Sequence, residues 1–321
     1  MATLSSLLEY YYETMQEALF PLEEERKRIV KKLQMVALFM SVGAVVFFTV
    51  LHQHMHFALL QAALLSAMSG FLIFMFVYRH EKAGFTALFK DQVIEKLLYQ
   101  IDASLLYRKE SAIDEEAYRR SELFLEDYDR FEGSDLVSGS IAKVDVRFSF
   151  LHTQQKERDS KGRERWETIF QGLFFCADFN KAFKSKTVVL PDTAERTLGV
   201  LGTWFQRMNI ARGSLMKLDH AEFEKIFVVY GDDPIESRYI LSHALMEKIV
   251  LLQRKINRPI YLSFVASRIY IAIAYTKSLF EPILTRSLLE FSYIKEYFQL
   301  LNTVVGIVEE LKLNEKLWSK R

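Results

Sequence analysis

Two uncharged apolar runs dominate the hydrophobic pattern of the chain, Leu33 to Leu51 and Phe57 to Tyr78. A helix rises about 1.5 Å per residue, so a run of this length reaches roughly 28 Å, about one hydrocarbon core. We therefore predict a transmembrane helical hairpin over residues 33–78, with an external turn at residues 52–56. The alternative is a buried helical hairpin inside a soluble protein.

Lysine and arginine flank this hairpin at its two open ends, and none lies in the connecting turn. The flanking residues are Arg26, Lys27, Arg28, Lys31, Lys32, Arg79, Lys82 and Lys90. Under the positive-inside rule, this distribution predicts that the N- and C-termini are both cytoplasmic. The small residues Ser41, Gly43, Ser66 and Gly70 would let the two helices, or a second copy, approach closely.

Helical periodicity continues on both sides of the hairpin. Residues 1–32 are predicted as an amphipathic juxtamembrane helix in which Pro21 begins a new segment, because proline is favoured in a first helical turn. Residues 79–132 are predicted as a helical connector. The turn-forming residues of Phe131–Gly139 are expected to end it.

The hydrophobic period then changes from that of a helix to that of a strand. Apolar residues alternate with polar ones from Ala142 to Phe150, and Trp166–Ala177 returns as an apolar strand. A helix is predicted from Pro234 to about Ile256, followed by a hairpin around residues 266–268. We therefore predict that residues 133–321 form a cytoplasmic α+β domain with an antiparallel sheet and packed helices.

Composition narrows the classes of function. The chain has 42 basic and 41 acidic side chains, and this balance argues against nucleic acid as a partner. The single cysteine, Cys176, excludes an intrachain disulfide and a cysteine-rich zinc site. Because it lies among phenylalanines with no histidine or basic residue near it in sequence, we expect a buried, inert thiol.

The strongest polar cluster is the segment YGDDPIESRY. It contains Asp232, Asp233, Glu236 and Arg238. In a functional interpretation, the carboxylates would bind a metal or act as a general base, and the arginine would hold an anionic ligand. In a structural interpretation, Asp233 is an N-cap, proline follows it at the first helical position, and Glu236 completes a capping box. We favour the structural interpretation.

A second polar segment, NKAFKSKTVVLPD, places Lys181 and Lys184 beside phenylalanines. These lysines are candidates for contact with phosphate or lipid headgroups, and a solvated entry into a strand is the alternative we favour. The chain has no P-loop, GxGxxG, GxSxG or HExxH motif. We therefore name no catalytic residue and no cofactor.

Three histidines alternate in the predicted external turn, His52, His54 and His56. Three imidazoles and a water would suffice for zinc, but residues two apart do not face each other on a helix. We interpret these residues as the turn of the hairpin, and a metal site as the weaker alternative.

Six motifs of the chain carry a family resemblance: IFQGLFFCADFNKAFKSKTVVLPD at Ile169, LDHAEFEKIFVVYGDDPIESRYIL at Leu218, LVSG at Leu136, YIAIAY at Tyr270, LFEP at Leu279 and IVEELKLNEKLW at Ile307. Together they resemble the bacterial domain-of-unknown-function family 3137 (DUF3137). The resemblance extends from about Phe85 to Trp318. Ser242-His243 and Ala266-Ser267 depart from it, where the family favours Thr-Pro and Asp-Asn.

The resemblance implies a membrane hairpin ahead of the domain, and no established activity. Family members are often encoded beside LemA-type membrane proteins, which implies a partner of that kind and an envelope-associated process. We predict a membrane-anchored protein-interaction or scaffold module of the bacterial inner membrane, in contact with the lipid bilayer, with homo-oligomers left open. The alternative is an unrecognised enzyme that acts on a membrane-proximal substrate.

Overall fold

The computed structural model describes residues 4–53, 55, 58–158, 162–179, 183–192, 213–311 and 313. These residues divide into two compact units. The helical unit consists of the chain up to Gln100 together with Phe280–Gln299. The sheet unit consists of Ile101–Leu279 together with the chain from Leu300 onward.

Helices occupy both units. They are α1 (Leu4–Tyr10), α2 (Gln16–Gln53), α3 (Leu59–Phe89), α4 (Glu95–Ile101), α5 (Glu115–Arg120), α6 (Ala221–Glu224), α7 (Pro234–Ile240), α8 (His243–Ile256), α9 (Phe291–Val305) and α10 (Ile307–Glu310). Two π-helical turns, Tyr11–Met15 and Lys90–Ile94, join α1 to α2 and α3 to α4.

Strands lie in the sheet unit alone among the described residues. They are β1 (Leu106–Arg108), β2 (Arg130–Ile141), β3 (Val144–Arg158), β4 (Glu164–Asp178), β5 (Thr187–Pro191), β6 (Ser214–Met216), β7 (Phe227–Gly231), β8 (Ile260–Val265) and β9 (Arg268–Ala274). The mixture of helices with an antiparallel sheet confirms the predicted α+β class.

The two long helices of the helical unit, α2 and α3, are apolar enough to cross a membrane by length and composition. Only 6% of the most apolar stretch of the first helix and 11% of that of the second is buried. The contact between them runs along small residues: Ala62 and Ser66 are buried, and Gly70 faces the carbonyl oxygen of Met40. Close approach through Ser66 and Gly70 is therefore as predicted, whereas Gly43 faces open space.

Pro21 lies inside α2 and does not begin a new helix, so that prediction is wrong. An interior proline removes one backbone hydrogen bond and costs about 3 kcal/mol. The helix continues because it buries Leu19 and Leu22 on either side of the proline, and Ile29 and Leu33 beyond it. Local helix preference is overruled here by packing.

An irregular segment of the helical unit, residues 281–289, is held through its backbone by side chains from the helices around it. We call this segment the strap. Tyr11 Oη donates to the carbonyl oxygen of Leu289 at 2.8 Å, and Arg26 Nη1 donates to that of Leu284 at 2.5 Å. The N–H of Leu288 donates to the carboxylate of Glu23 at 2.9 Å.

Two tyrosines of α9 hold the beginning of the strap. The N–H of Ile283 donates to Tyr293 Oη at 2.6 Å, and Tyr297 Oη donates to the carbonyl oxygen of Glu281 at 2.9 Å. The two hydroxyls lie 2.9 Å from each other. The LFEP motif at Leu279 thus leads into a segment whose polar backbone groups are satisfied by side chains in place of a ladder.

The sheet has the strand order β1-β2-β3-β4-β9-β8-β5-β7-β6, and neighbouring strands are antiparallel. Consecutive residues 172–177 of β4 are all buried, which shows that both faces of the central strands are covered. One face is covered by the segment around α5, through Ile113, Tyr118 and Leu123. Tyr118 also bonds Thr153 of β3 at 2.9 Å.

The region before the sheet differs from the predicted helical connector. Residues 79–132 are helical to Ile101 and then form β1, α5 and the start of β2. The segment Phe131–Gly139, predicted as turns, is part of β2. Its glycine at 133 marks close approach, because a Cβ there would lie 2.5 Å from the Cβ of Ala112.

The predicted helix from Pro234 to about Ile256 is divided into α7 and α8 at Leu241, whose φ and ψ of −86° and 63° are not helical. The predicted hairpin at residues 266–268 joins β8 to β9. Ala266 and Ser267 have φ of 50° and 62°. Both therefore adopt the left-handed conformation of a tight hairpin turn, which asparagine, aspartate and glycine accept more easily.

Candidate functional site

The polar cluster at residues 232–238 lies at the start of α7, where the chain leaves β7. Asp233 is the N-cap: its Oδ1 accepts the N–H of Ile235 at 2.8 Å and that of Glu236 at 3.3 Å. Pro234 occupies the first turn. A cap of this kind contributes about 1 kcal/mol, so Asp233 has a structural role of ordinary size.

Glu236 is used differently from the predicted capping box, in which its carboxylate would accept the N–H of Asp233. Its carboxylate accepts the N–H of Lys184 at 2.9 Å and that of Ser185 at 2.6 Å, and it also accepts the Ser185 hydroxyl. Partial burial alone raises the pKa of Glu236, but these hydrogen bonds outweigh it and leave the pKa below its usual range. The two polar segments singled out in the sequence therefore meet at Glu236.

A buried hydroxyl pair fixes α7 against the sheet. Ser237 Oγ and Thr187 Oγ1 lie 2.9 Å apart, and both residues are fully buried. Next to Thr187, the ammonium of Lys186 pairs with Glu122 at 2.7 Å. The inner face of α7 is thus anchored by β5, which leaves its outer face to solvent.

That outer face carries apolar and charged side chains together. Ile235 is 80% exposed and Tyr239, one turn later, is 40% exposed. Asp232, Arg238 and the side chain of Lys184 are exposed as well. Lys181 lies outside the described residues. Because Asp233 and Glu236 are engaged with backbone N–H groups, the geometry supports a contact surface better than a pair of catalytic carboxylates.

The histidine turn is only partly described. His52 lies in the last turn of α2, where its ring stacks on that of Phe48 with centroids 6.0 Å apart. His54 and His56 lie outside the described residues. Within the part of the chain that the structure describes, no three His, Cys, Asp or Glu side chains are grouped so that they could hold a metal ion.

Cys176 is 1% exposed, in the predicted apolar surroundings. Sequence reasoning missed its basic neighbours, which lie on adjacent strands: Arg268 Nη1 is 3.6 Å from Sγ, and Arg147 is directly opposite in the β3–β4 register. Burial raises the pKa of the thiol more than these two arginines lower it. The sulfur is therefore mainly protonated and enclosed, as expected of an inert cysteine.

The structure also pairs two histidines that the sequence does not connect. His220 caps α6, since its Nδ1 accepts the N–H of Phe223 at 3.2 Å. The ring of His243, at the start of α8, lies with its centroid 4.5 Å from that of His220. The sequence carries no local signal for this pair, because the two residues belong to different helices.

Comparison with known proteins finds one family that resembles the C-terminal part of the chain. Residues 168–313 match the sequence model of a family described as "Protein of unknown function (DUF3137)". No curated protein and no solved structure matches the chain significantly. The match lies within the region over which the motifs resemble this family, and it contains β5, α7 and α8. The part of the chain that is similar to the DUF3137 family is therefore residues 168–313.

Proposed function

We propose that the protein is a membrane-anchored interaction or scaffold module of a bacterial inner membrane, acting in an envelope-associated process. The observation that carries the anchoring is the exposure of α2 and α3. Large apolar side chains cover their outer surfaces, among them Phe39 at 68% exposed, Leu60 at 70% and Phe76 at 74%. Water would hydrate this surface at high cost, whereas lipid chains would cover it.

The proposed orientation puts the short turn outside and both termini, with the α+β domain, in the cytoplasm. A reporter that is active only outside the membrane is expected to be active when fused after His54. A reporter that is active only in the cytoplasm is expected to be active when fused after Arg321. The reason is the basic flanks of the hairpin, which resist translocation. The opposite pattern at either position would contradict this topology.

The proposed contact surface for a protein partner is the outer face of α7, with Ile235 and Tyr239 at its centre. An apolar side chain that is 80% exposed beside an aromatic ring gains free energy when a partner covers it. The flanking charges of Asp232 and Arg238 would form the polar rim that such interfaces have. A membrane protein of LemA type is the proposed partner.

A substitution at Ile235 tests this surface. A LemA-type membrane protein should be retained by the full-length protein in detergent. Ile235→Glu is expected to weaken that binding by about tenfold, because a charge would be placed in the apolar centre of the contact.

The matched control is Leu251→Glu, which adds the same charge at an apolar residue of α8 that is 54% exposed. It should leave binding unchanged, and both variants should keep the melting temperature of the parent. Equal binding by the Ile235 variant, or equal loss in the control, would contradict a partner site on α7.

A further inference from the structure

The hairpin of β3 and β4 extends beyond the sheet to which it belongs. β2 stops pairing with β3 at Arg130 opposite Gln154, and β9 stops pairing with β4 at Ala274 opposite Gly172. Past these points β3 and β4 pair only with each other among the described residues, from Gln155 opposite Glu167 to Arg158 opposite Glu164. We call this two-stranded extension, residues 155–158 and 164–167, the arm.

The two edges of the arm differ. On the β3 edge, the N–H of Lys156 donates to the carboxylate of Asp129 at 2.7 Å, and the N–H of Asp129 donates to the carbonyl oxygen of Gln154 at 2.9 Å. Asp129 thus occupies the N–H of Lys156 and the carbonyl oxygen of Gln154, the two backbone groups that another strand would need for pairing. A blocked edge of this kind protects a sheet from unwanted pairing.

The β4 edge has no such block in the described part of the chain. Because Lys156 points its N–H away from β4, its opposite residue Trp166 points its own N–H and C=O away from β3. Along a strand, the N–H and C=O groups of every second residue point to the same side. Those of Glu164, Trp166 and Thr168 therefore point to the outer edge of β4. All three residues are exposed.

The side chain of Trp166 leaves this edge clear. Its ring lies under the guanidinium of Arg130, at 4.3 Å from the ring centroid, and under the ammonium of Lys156, at 5.3 Å. Both cations come from the β2 and β3 side of the arm. The indole therefore leans away from the open edge, where the backbone of another strand would be added.

We propose that this edge binds a second copy of the same chain, with the two β4 strands antiparallel and related by a twofold axis through Trp166. Trp166 then pairs with Trp166 of the second copy, and Glu164 pairs with Thr168. Each is a hydrogen-bonded pair of an antiparallel ladder, since these residues point their backbone groups outward. Such a contact is isologous and closes as a dimer.

The charges of β4 favour a second copy of the chain on this edge, and they favour one register of the two β4 strands. In the register centred on Trp166, Arg165 of each copy lies opposite Glu167 of the other. Moving the axis by one residue would place Arg165 opposite Arg165, or Glu167 opposite Glu167. Opposite charges across strands are favourable and like charges are unfavourable, so the sequence RWE is complementary to itself in one register.

An unfavourable contact within the monomer supports the same pairing. Glu157 and Glu167 are diagonal neighbours on one face of the arm, and the Glu167 carboxyl raises the pKa of Glu157 by hydrogen bonding and by charge. A second copy would bring an additional arginine, its Arg165, beside Glu167. The dimer would therefore offset a repulsion that a single arm retains.

Cysteine substitution tests the register in the full-length protein. In a hydrogen-bonded antiparallel pair the Cα atoms are about 5.5 Å apart, within the range that a disulfide spans. Trp166→Cys is therefore expected to form a covalent dimer on mild oxidation. Glu164→Cys, on the same edge, should not, because its opposite residue is Thr168. The native Cys176 is buried, so the parent should not crosslink either.

Charge exchange tests the contact itself, by sedimentation in detergent. Arg165→Glu and Glu167→Arg are each expected to weaken the dimer by about tenfold, since each creates two like-charged pairs. A mixture of the two single variants should form heterodimers, because the introduced glutamate of one variant then faces the introduced arginine of the other, and a native Arg165 faces a native Glu167. The arm is exposed, so both variants should keep the melting temperature of the parent.

The crosslinking and sedimentation results together decide whether two copies pair through the β4 edge. Crosslinking at position 166 but not 164, with loss in the single variants and recovery in their mixture, would support the proposal. A monomeric parent would overturn it. If neither Arg165→Glu nor Glu167→Arg weakened the dimer, the contact would lie elsewhere, and the proposal would be overturned as well. Membrane anchoring would raise the local concentration of chains, but the test does not depend on it.

Discussion

Replacing Gly172 with alanine is expected to destabilise the sheet unit by about 3 kcal/mol. Gly172 lies in β4 between Leu151 of β3 and Ala274 of β9. A Cβ at this position would lie 2.1 Å from the carbonyl oxygen of Ile273 and 2.9 Å from the backbone nitrogen of Tyr275. These atoms are backbone atoms of a paired strand, so they cannot move aside as a side chain would. Denaturant unfolding of the detergent-solubilised protein would measure the loss.

Gly84→Ala is the matched control for this substitution. It makes the same chemical change in a helix, at a position where an added Cβ has nothing within 4 Å. Alanine is the better helix former, so this variant should gain about 0.5 to 1 kcal/mol. If Gly172→Ala unfolded at the denaturant concentration of the parent, the close approach of β4 and β9 would be refuted.

Removing the carboxylate of Glu23 is expected to destabilise the helical unit by about 3 kcal/mol. This side chain is 2% exposed and accepts hydrogen bonds from Arg26 Nε at 2.9 Å, Arg26 Nη2 at 2.8 Å and the N–H of Leu288. In Glu23→Ala, the guanidinium of Arg26, itself 12% exposed, would lose its ion-pair partner. The strap would lose one of its anchors. Thermal unfolding of the variant would measure the effect.

The control is Glu24→Ala, whose carboxylate is 71% exposed and pairs with an exposed Lys27. Exposed pairs contribute little, so this variant should unfold within about 0.5 kcal/mol of the parent. A similar loss in both variants would show that burial of Glu23 is not the cause.

The same carboxylate gives stability a dependence on pH. Burial alone raises the pKa of Glu23, but hydrogen bonds from Arg26 and Leu288 outweigh it, so the folded-state pKa lies below the ordinary value of 4.5. The stabilisation is therefore complete above pH 4.5 and is lost as the pH falls through the folded-state pKa. The difference in stability between the parent and Glu23→Gln should accordingly shrink below pH 4.5.

Patterns confined to a few neighbouring residues predicted local structure correctly. The alternation around Val144 to Phe150 predicted β3, and the order Asp233-Pro234 predicted the cap of α7. Uncharged runs near twenty residues long gave the two apolar helices. Each of these features follows from side-chain period, or from a hydrogen bond between residues close in sequence, so no knowledge of distant contacts was required.

Predictions failed where a local preference was opposed by a distant contact. Pro21 looked like a helix start, but burial on both sides of it keeps α2 continuous. Gly133 looked like a turn residue, but it allows Ala112 to pack against β2. In both cases the same residue type has two physical uses, and only the packing partner distinguishes them.

Spacing along the chain was enough to establish the α+β class, the two apolar helices, the helix cap at Asp233 and the lack of familiar catalytic motifs in the sequence. Which groups meet depends on the folded arrangement. Glu23 and Leu288 are 265 residues apart, and Glu236 and Lys184 are 52 apart. The open edge at Trp166 exists because β2 and β9 stop short of the arm. Hydrogen bonds and strand edges of this kind depend on three-dimensional position, for which the order of residues gives no local signal.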